Sequence, residues 1–384
     1  MKMIVITVLP MFVCFFWSIM LTLQVTTERK TRARVYLLIF MLTATVLYFG
    51  HGVFFNHNTK IMPLTDTLYC TANLMVYPLY FLYICALTTR RSHHHLRYLL
   101  LIPGIIGGTS VGVCYLLMSE DETQQFIERY LYNAEHVGGV GLVAMQVMIH
   151  DLCKLLFAFI VLPVFFLGRR YIIQYEELVS NSYADAEEKS LKIIHHMLTA
   201  FIITSAISFT INIIGRDKFD HSELLLAIPS TLFSCLLFFI GYVGYHQDFD
   251  IEEIEADEQK ADKQVNNQPF ISELRVKIEQ LMEKEQLFRQ PNLKIVDLVQ
   301  KLGTNRSYIY QAINREMGLS FAEYINRMRI EYASLLISQH RDMPLGTVGE
   351  QSGFTSNTSF YRNFKLYKGM GPKEYQNSLK DEYA

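Results

Sequence analysis

Two clusters of polar side chains near the C-terminus have types and spacing suited to nucleic-acid recognition, the alternative for any single residue being a solvated helix face. The first is Arg306, Ser307, Tyr308, Tyr310 and Gln311. The second is Asn357, Thr358, Ser359 and Arg362, with Lys365 one residue triplet further on. Arginine donates two hydrogen bonds to guanine, and glutamine pairs in the same bidentate way with adenine. Serine, threonine and lysine reach phosphate, which positions a protein on a duplex without specifying sequence. A third group lies far upstream, at His150, Asp151 and Lys154. Asp151 and Lys154 stand at i, i+3 and His150 and Lys154 at i, i+4, so on a helix they share a face. They fall inside an apolar run, where ionisable groups are costly and point to ligand binding or sensing. A self-neutralising pair that orders helix packing is the other reading, and the sequence leaves both open.

The two C-terminal clusters need elements to hold them. Ile295, Leu298, Val299 and Leu302 have the spacing of one buried helix face. Gly303 ends that helix, because a tight turn between crossing helices favours a residue that tolerates positive φ. Asn305 is placed to cap the next helix, whose Ile309, Ala312 and Ile313 face back into a core. From Leu345 the pattern recurs: a short helix, Gly353, a Thr/Ser cap, and a helix with Phe360 and Phe364 on one side. Two helix-turn-helix units in tandem, joined by one amphipathic helix, are expected. Each would present the N-terminal end of its second helix to base edges.

The stretch from Pro291 to Lys380 closely resembles the DNA-binding domain of AraC/XylS-family transcriptional regulators. The resemblance covers roughly the last quarter of the chain. It is carried by Gly318-Leu-Ser-Phe321, Tyr324-Ile-Asn-Arg-Met-Arg-Ile330, Ala333, Leu336, Gly353-Phe354, Phe360-Tyr-Arg-Asn-Phe-Lys365 and Gly371-Pro372-Lys-Glu-Tyr375. Four positions depart from the family pattern. Gly349 stands where alanine is favoured, at a cost of up to about 1 kcal/mol of helix stability. Gln311 stands where arginine is frequent, Gly371 replaces Ser/Thr, and Gln376 replaces arginine. The resemblance implies double-stranded promoter DNA and RNA polymerase as partners. Residues 291–380 carry 12 Lys/Arg and 7 Asp/Glu, while the whole chain is formally −2. This local basic excess is a modest electrostatic footprint, so a homodimer on DNA is expected.

The other two-thirds of the chain differs in kind. With 26 Phe and 23 Tyr, the chain holds more aromatic residues than a surface accommodates, and the excess lies before Asp248. Seven apolar runs can span a bilayer: 3–26, 35–55, 67–88, 97–118, 142–167, 193–214 and 223–245. Pro10, Pro78, Pro103, Pro163 and Pro229 fall within them, which membrane helices tolerate. The first run is followed, not preceded, by Arg29, Lys30, Arg32 and Arg34, and shows no small-residue cleavage site, unlike a signal peptide. Basic loops alternate with neutral or acidic ones. Arg29–Arg34, Arg90 with Arg91, and Arg169 with Arg170 mark the odd loops, against Glu120, Asp121, Glu122, Glu128 and Glu135 in the fourth. The odd loops are then cytoplasmic, the N-terminus outside and the C-terminus inside. A DNA reader has to share a compartment with DNA, so the two readings agree. Both point to a bacterial inner membrane.

The expected architecture is all-α. A seven-helix transmembrane domain (1–247) precedes an acidic linker (248–269) and an AraC-type domain (270–384). The linker holds eight acids and one base between Asp248 and Asp262. A helical stripe, Ile271, Leu274, Ile278, Leu281 and Met282, is expected to pack on the DNA-binding domain. His93-His94-His95 sits in a basic loop without acidic or Cys partners, and His195-His196 is followed by no nucleotide-binding segment. The six cysteines are scattered through the apolar runs as small apolar residues. No enzyme activity, cofactor or metal is expected. These features point to a membrane-bound, one-component transcription regulator receiving an unknown small-molecule or membrane signal. The alternatives are a membrane part that only anchors, or a transporter or membrane enzyme fused to a regulatory domain.

Overall fold

The computed structural model describes residues 2–27, 31–89, 95–133, 141–214, 223–247, 251, 254 and 271–381. Arg29, Lys30, Arg90, Arg91, His93, His94, Glu135, the sixth loop and nearly all of the acidic linker lie outside the described residues. Those described are helical, with one isolated antiparallel bridge between Tyr183 and Lys294. The chain divides into two compact units. The first is Met1–Ile172 with Lys192–Asp250, and the second is Ile173–Leu191 with Ile251–Ala384. The sequence suggests a division near residue 247, and the second unit adds a segment from between two apolar helices.

The first unit is built from α1 (Lys2–Thr27), α2 (Arg32–Phe55), α3 (Met62–Thr88), α4 (Ile102–Leu117), the short α5 (Glu120–Gln125) with a π-helical turn (Phe126–Tyr132), the first part of α6 (Leu142–Ser180), α7 (Lys192–Ile214) and α8 (Glu223–Tyr245). Among the described residues, seven helices are long and apolar enough to cross a membrane, and they coincide with the seven expected runs. Their hydroxyls bond to their own helices, as Ser18 Oγ does to Cys14 O at 2.8 Å and Thr22 Oγ1 to Ser18 O at 2.6 Å. Bonds of this kind let a hydroxyl sit among apolar helices without water. α3 is the central helix, with 83% of its most apolar window buried against 28–50% in the other six. Phe12, Leu116 and Phe159 point outward, and Leu116 is 86% exposed. Apolar surface on this scale needs an apolar surrounding or a partner.

α4 approaches α3 along Gly104, Gly108 and Gly112. A Cβ added at Gly108 would collide with Thr71, one at Gly104 with Met75, and one at Gly112 would sit 3.0 Å from Thr67 Cγ2. Small residues four apart let two backbones close on each other, which is how helices associate when water supplies no driving force.

The second unit contains the end of α6, the segment after it, and α9 (Ile271–Glu285), α10 (Ile295–Leu302), α11 (Arg306–Tyr310, continued by a π-helical turn Gln311–Glu316), α12 (Phe321–Gln339), α13 (Leu345–Gln351), α14 (Asn357–Lys368) and α15 (Pro372–Asp381). One core gathers Leu274, Ile278 and Met282 of α9 with Leu298 and Val299 of α10, Ile309 and Ile313, and Phe321 and Ile325 of α12. The α9 stripe thus packs on the helices that follow it, as expected. A second core gathers Ile330, Ala333 and Ile337 of α12 with Val348, Phe354, Phe360 and Phe364. α12 therefore supplies a face to each core.

The turns follow their chemistry. Gly303 adopts φ +61° after α10, and Asn305 Oδ1 accepts from Tyr308 N at 3.0 Å to cap α11. Ser320 and Glu323 form a reciprocal capping box on α12. Ser356 Oγ accepts from Ser359 N at 3.3 Å to cap α14. At Gly353, φ is +95° and an added Cβ would lie 2.7 Å from Arg289 O, so two constraints demand glycine there. At Gly349 a Cβ would meet Phe360 at 3.0 Å. The departure from alanine therefore makes room for the ring that closes the second core.

Candidate nucleic-acid interface

The two helix pairs, α10–α11 and α13–α14, each turn the N-terminal end of their second helix away from a core. Ile309, Ala312 and Ile313 anchor α11 from behind, which leaves Ser307 exposed and Arg306, Tyr310 and Gln311 half-buried. Gln311 Nε2 donates to Ser307 Oγ at 3.3 Å. On α14, Phe360 and Phe364 hold the helix, while Asn357, Thr358, Arg362 and Lys365 are exposed. Ser359 lies on the buried side, next to Asn363, whose Nδ2 donates to Ser359 O at 2.9 Å. The structure thus groups the expected residues into two patches, one per helix pair, with Ser359 at the edge of the second.

Both patches touch a segment that sequence reasoning did not connect to them. After α6, residues 181–189 run across the second unit. Tyr183 pairs with Lys294: Ala184 N donates to Leu293 O at 2.9 Å, and Ile295 N to Ser182 O at 2.8 Å. Ala184 enters the first core. Asp185 bonds Arg329 Nη1 at 2.7 Å, with both side chains almost wholly buried. Arg329 also donates through Nε to Phe288 O and through Nη2 to Gln290 O, each at 2.8 Å. Burial pushes the Arg329 guanidinium below its ordinary value, and the Asp185 carboxylate pulls it back up. Beyond this joint, Arg306 Nη2 donates to Ser182 Oγ at 2.6 Å. Ser359 Oγ donates to Glu187 at 3.3 Å, Thr355 Oγ1 donates to Glu188 at 2.7 Å, and Arg362 forms an ion pair with Glu187. The signal that could have revealed this segment is a run of acids, Asp185, Glu187 and Glu188, in a loop otherwise marked by basic residues.

The upstream group divides in two. His150 is buried, and its Nε2 lies 2.8 Å from Asp66 Oδ2 on α3, while Tyr115 OH donates to the same oxygen at 2.8 Å. His150 Nδ1 lies 2.9 Å from Gln146 O. Asp151 and Lys154 instead pair with each other at 3.0 Å, and Tyr130 OH donates to Asp151 at 2.7 Å. Both are about half-exposed. The helical spacing correctly joins Asp151 to Lys154, but His150 turns to a partner on another helix. Asp66, Cys70 and His150 offer an oxygen, a sulfur and a nitrogen within 4.8 Å of one another, a donor set that suits a borderline-soft divalent ion. All six cysteines are free thiols, Cys70 and Cys114 included.

Residues 298–378 match the family described as a helix-turn-helix domain. Over 100 residues, 26% of this chain, the sequence is 28% identical to HTH-type transcriptional regulators of Staphylococcus aureus strains N315 and MSSA476, covering 13% of those proteins. Over 90 residues, 23% of this chain, it is 26% identical to the Msm operon regulatory protein of Streptococcus mutans, covering 32% of it. The chain thus spans between 13% and 32% of the length of these relatives. No solved structure matches the chain. The region that carries the two polar patches is therefore similar to the helix-turn-helix regions of transcriptional regulators.

Proposed function

We propose that the chain is a membrane-bound, one-component transcription regulator that binds double-stranded promoter DNA through tandem helix-turn-helix units, under control of a signal received by its apolar helices. The observation that carries this reading is the pair of polar patches at the starts of α11 and α14, each backed by its own apolar core. Arg306, Ser307, Tyr310 and Gln311 read or position one half-site. Asn357, Thr358, Ser359, Arg362 and Lys365 serve the other. The modest positive charge of this region favours a homodimer on DNA, with RNA polymerase as the downstream partner.

In this reading residues 1–247 lie in a bacterial inner membrane with the N-terminus outside. The linker 248–269 and the regulatory domain 270–384 lie in the cytoplasm. The buried Asp66–His150 pair and the nearby Asp151 and Lys154 form the candidate signal site. A polar group sealed among apolar helices is expensive unless it does something, which favours a receptor over a plain anchor.

The test is a selection from random-sequence duplexes by the full chain in lipid nanodiscs. Enrichment of a site with two separate half-sites is expected. No enrichment, even at low salt, would sink the reading. Reporter fusions after Asp121 and Gln247 check the topology: the first should report outside and the second inside. An external signal after Gln247 would put the reader on the wrong side of the membrane.

A further inference from the structure

The segment between α6 and α7 does two things that differ in chemistry. Its first part is a buried joint: the Tyr183–Lys294 bridge, Ala184 in the core, and Asp185 on Arg329. Its second part, Glu187 and Glu188, is a polar tip on the surface. The tip puts two carboxylates at the start of α14, against Arg362, Ser359 and Thr355. Ser182, at the other end, holds Arg306 of the first helix pair. Residues from both reading patches are therefore engaged by one segment of the same chain.

We propose that this segment is an intramolecular competitor of DNA, with the Glu187–Glu188 tip occupying the place of backbone phosphate on α14. The inference rests on the DNA-reading assignment above. A phosphate at this position would accept from the same hydroxyls and sit at the same helix N-terminus, where backbone N–H groups favour an anion, while Glu187 holds the Arg362 guanidinium that would otherwise reach a base edge. A carboxylate satisfies the same donors with one negative charge. The two occupants cannot share the Ser359 hydroxyl at once, because the acids would face phosphate across a few ångströms.

The two parts also differ in how easily they let go. Separating Asp185 from Arg329 would strand a charge in the interior, so the joint stays closed. Exposed ion pairs shift an equilibrium by only about two- to fivefold each, so the tip can lift while the joint holds. The segment connects α6 directly to α7, and both are among the helices apolar enough to cross a membrane. A rearrangement of those two helices thus acts on the tip through the chain itself, without the acidic linker.

The competition is reciprocal: whatever the tip does to DNA affinity, DNA must do to tip docking. Both directions can be read on the full chain in nanodiscs, using a duplex selected as above. In the Glu187→Gln, Glu188→Gln double variant, DNA affinity should rise about three- to tenfold. In a Glu188→Cys, Thr355→Cys variant, a reducible thiol-to-thiol cross-linker should tether the tip. Tethering should reduce DNA binding at least tenfold, reduction should restore it, and bound DNA should slow the cross-linking. The second unit contains no native cysteine, and single-cysteine variants control for reaction elsewhere. Unchanged or weaker DNA binding by the double Gln variant, or a tethered protein that binds as well as the reduced one, overturns the proposal while leaving DNA reading intact. If neither wild type nor variants bind any duplex at low salt, the reading and the inference fall together.

Discussion

The two units solve opposite solvation problems. In the first, apolar side chains such as Leu116 and Phe159 face outward, and the polar groups Asp66, Gln146 and His150 are sealed inside. In the second, Phe360, Phe364, Ile325 and Ile278 are sealed inside, and Asn357, Arg362 and Lys365 face out. Each unit nevertheless contains a buried acid–base pair between distant segments, Asp66 with His150 and Asp185 with Arg329. In the first, His150 and Tyr115 share one carboxylate oxygen of Asp66. The second fixes a single geometry, with every arginine nitrogen bonded. A neutral histidine still hydrogen-bonds an acid, whereas an arginine stays charged. The pair in the first unit can therefore change state, and the pair in the second can only hold or break.

The contrast is tested most severely at Asp185. Asp185→Ala leaves the Arg329 charge buried without its carboxylate and should destabilise the second unit by about 3–5 kcal/mol. Hydrogen exchange of the α12 amides is the measurement, since it reports one unit of a multi-unit chain. Protection as in wild type would mean that the joint is incidental.

Gly108→Val comes next. The new side chain would enter Thr71 on α3, and overpacking of this kind costs about 1–3 kcal/mol or more. A lowered midpoint for heat denaturation in detergent is expected, with the α12 amides unaffected. Loss of protection in both units would show that they do not fail independently.

Of comparable size, but read in affinity, are Arg362→Ala and Gln311→Ala. Each should relax preference at particular base pairs by about 1–3 kcal/mol, and at different half-sites. Lys365→Ala should weaken binding to all sequences and flatten the salt dependence by about one unit if it meets phosphate. Selection on each variant decides, and unchanged preferences for both Arg362→Ala and Gln311→Ala would show that the reading face is elsewhere. Arg362→Ala also removes the partner of Glu187, so its net affinity loss should be smaller than its loss of preference.

The smallest effect is expected at Lys154→Ala. Its pair with Asp151 is about half-exposed, so if it lines a water-filled opening between the helices the change should cost under about 1 kcal/mol of stability. A larger loss would mean that the pair belongs to the structural interior with His150 and is not accessible to a ligand.

Much of this was legible from local pattern. The length of the apolar runs marks the seven apolar helices, and helical periodicity marks the faces of α9 and α10 and the side of α14 that carries Phe360 and Phe364. Capping chemistry marks Asn305. These signals act over a few residues, which is the range of helix geometry. The pairs that join segments were not legible. Asp66 and His150 are 84 residues apart, and Asp185 and Arg329 are 144 apart. Nothing in either neighbourhood names the other, because the pairing is settled when whole helices pack. The polar group at His150, Asp151 and Lys154 shows the boundary: the i, i+3 partner was correct, and the partner on another helix was invisible. The same holds for the segment 181–189, whose acids look solvated until the unit they dock on is folded.

In the proposed mode of DNA reading, α12 sets the spacing of the two half-sites. α12 lends Phe321 and Ile325 to one core and Ile330, Ala333 and Ile337 to the other. It is therefore a ruler between α11 and α14, with no loop at its middle to stretch. A promoter served by both reading helices must offer its two half-sites at one fixed separation. Inserting a single base pair between them would rotate one half-site about 35° around the duplex and move it out of reach. Binding should then fall to that of one half-site alone, however well each half matches.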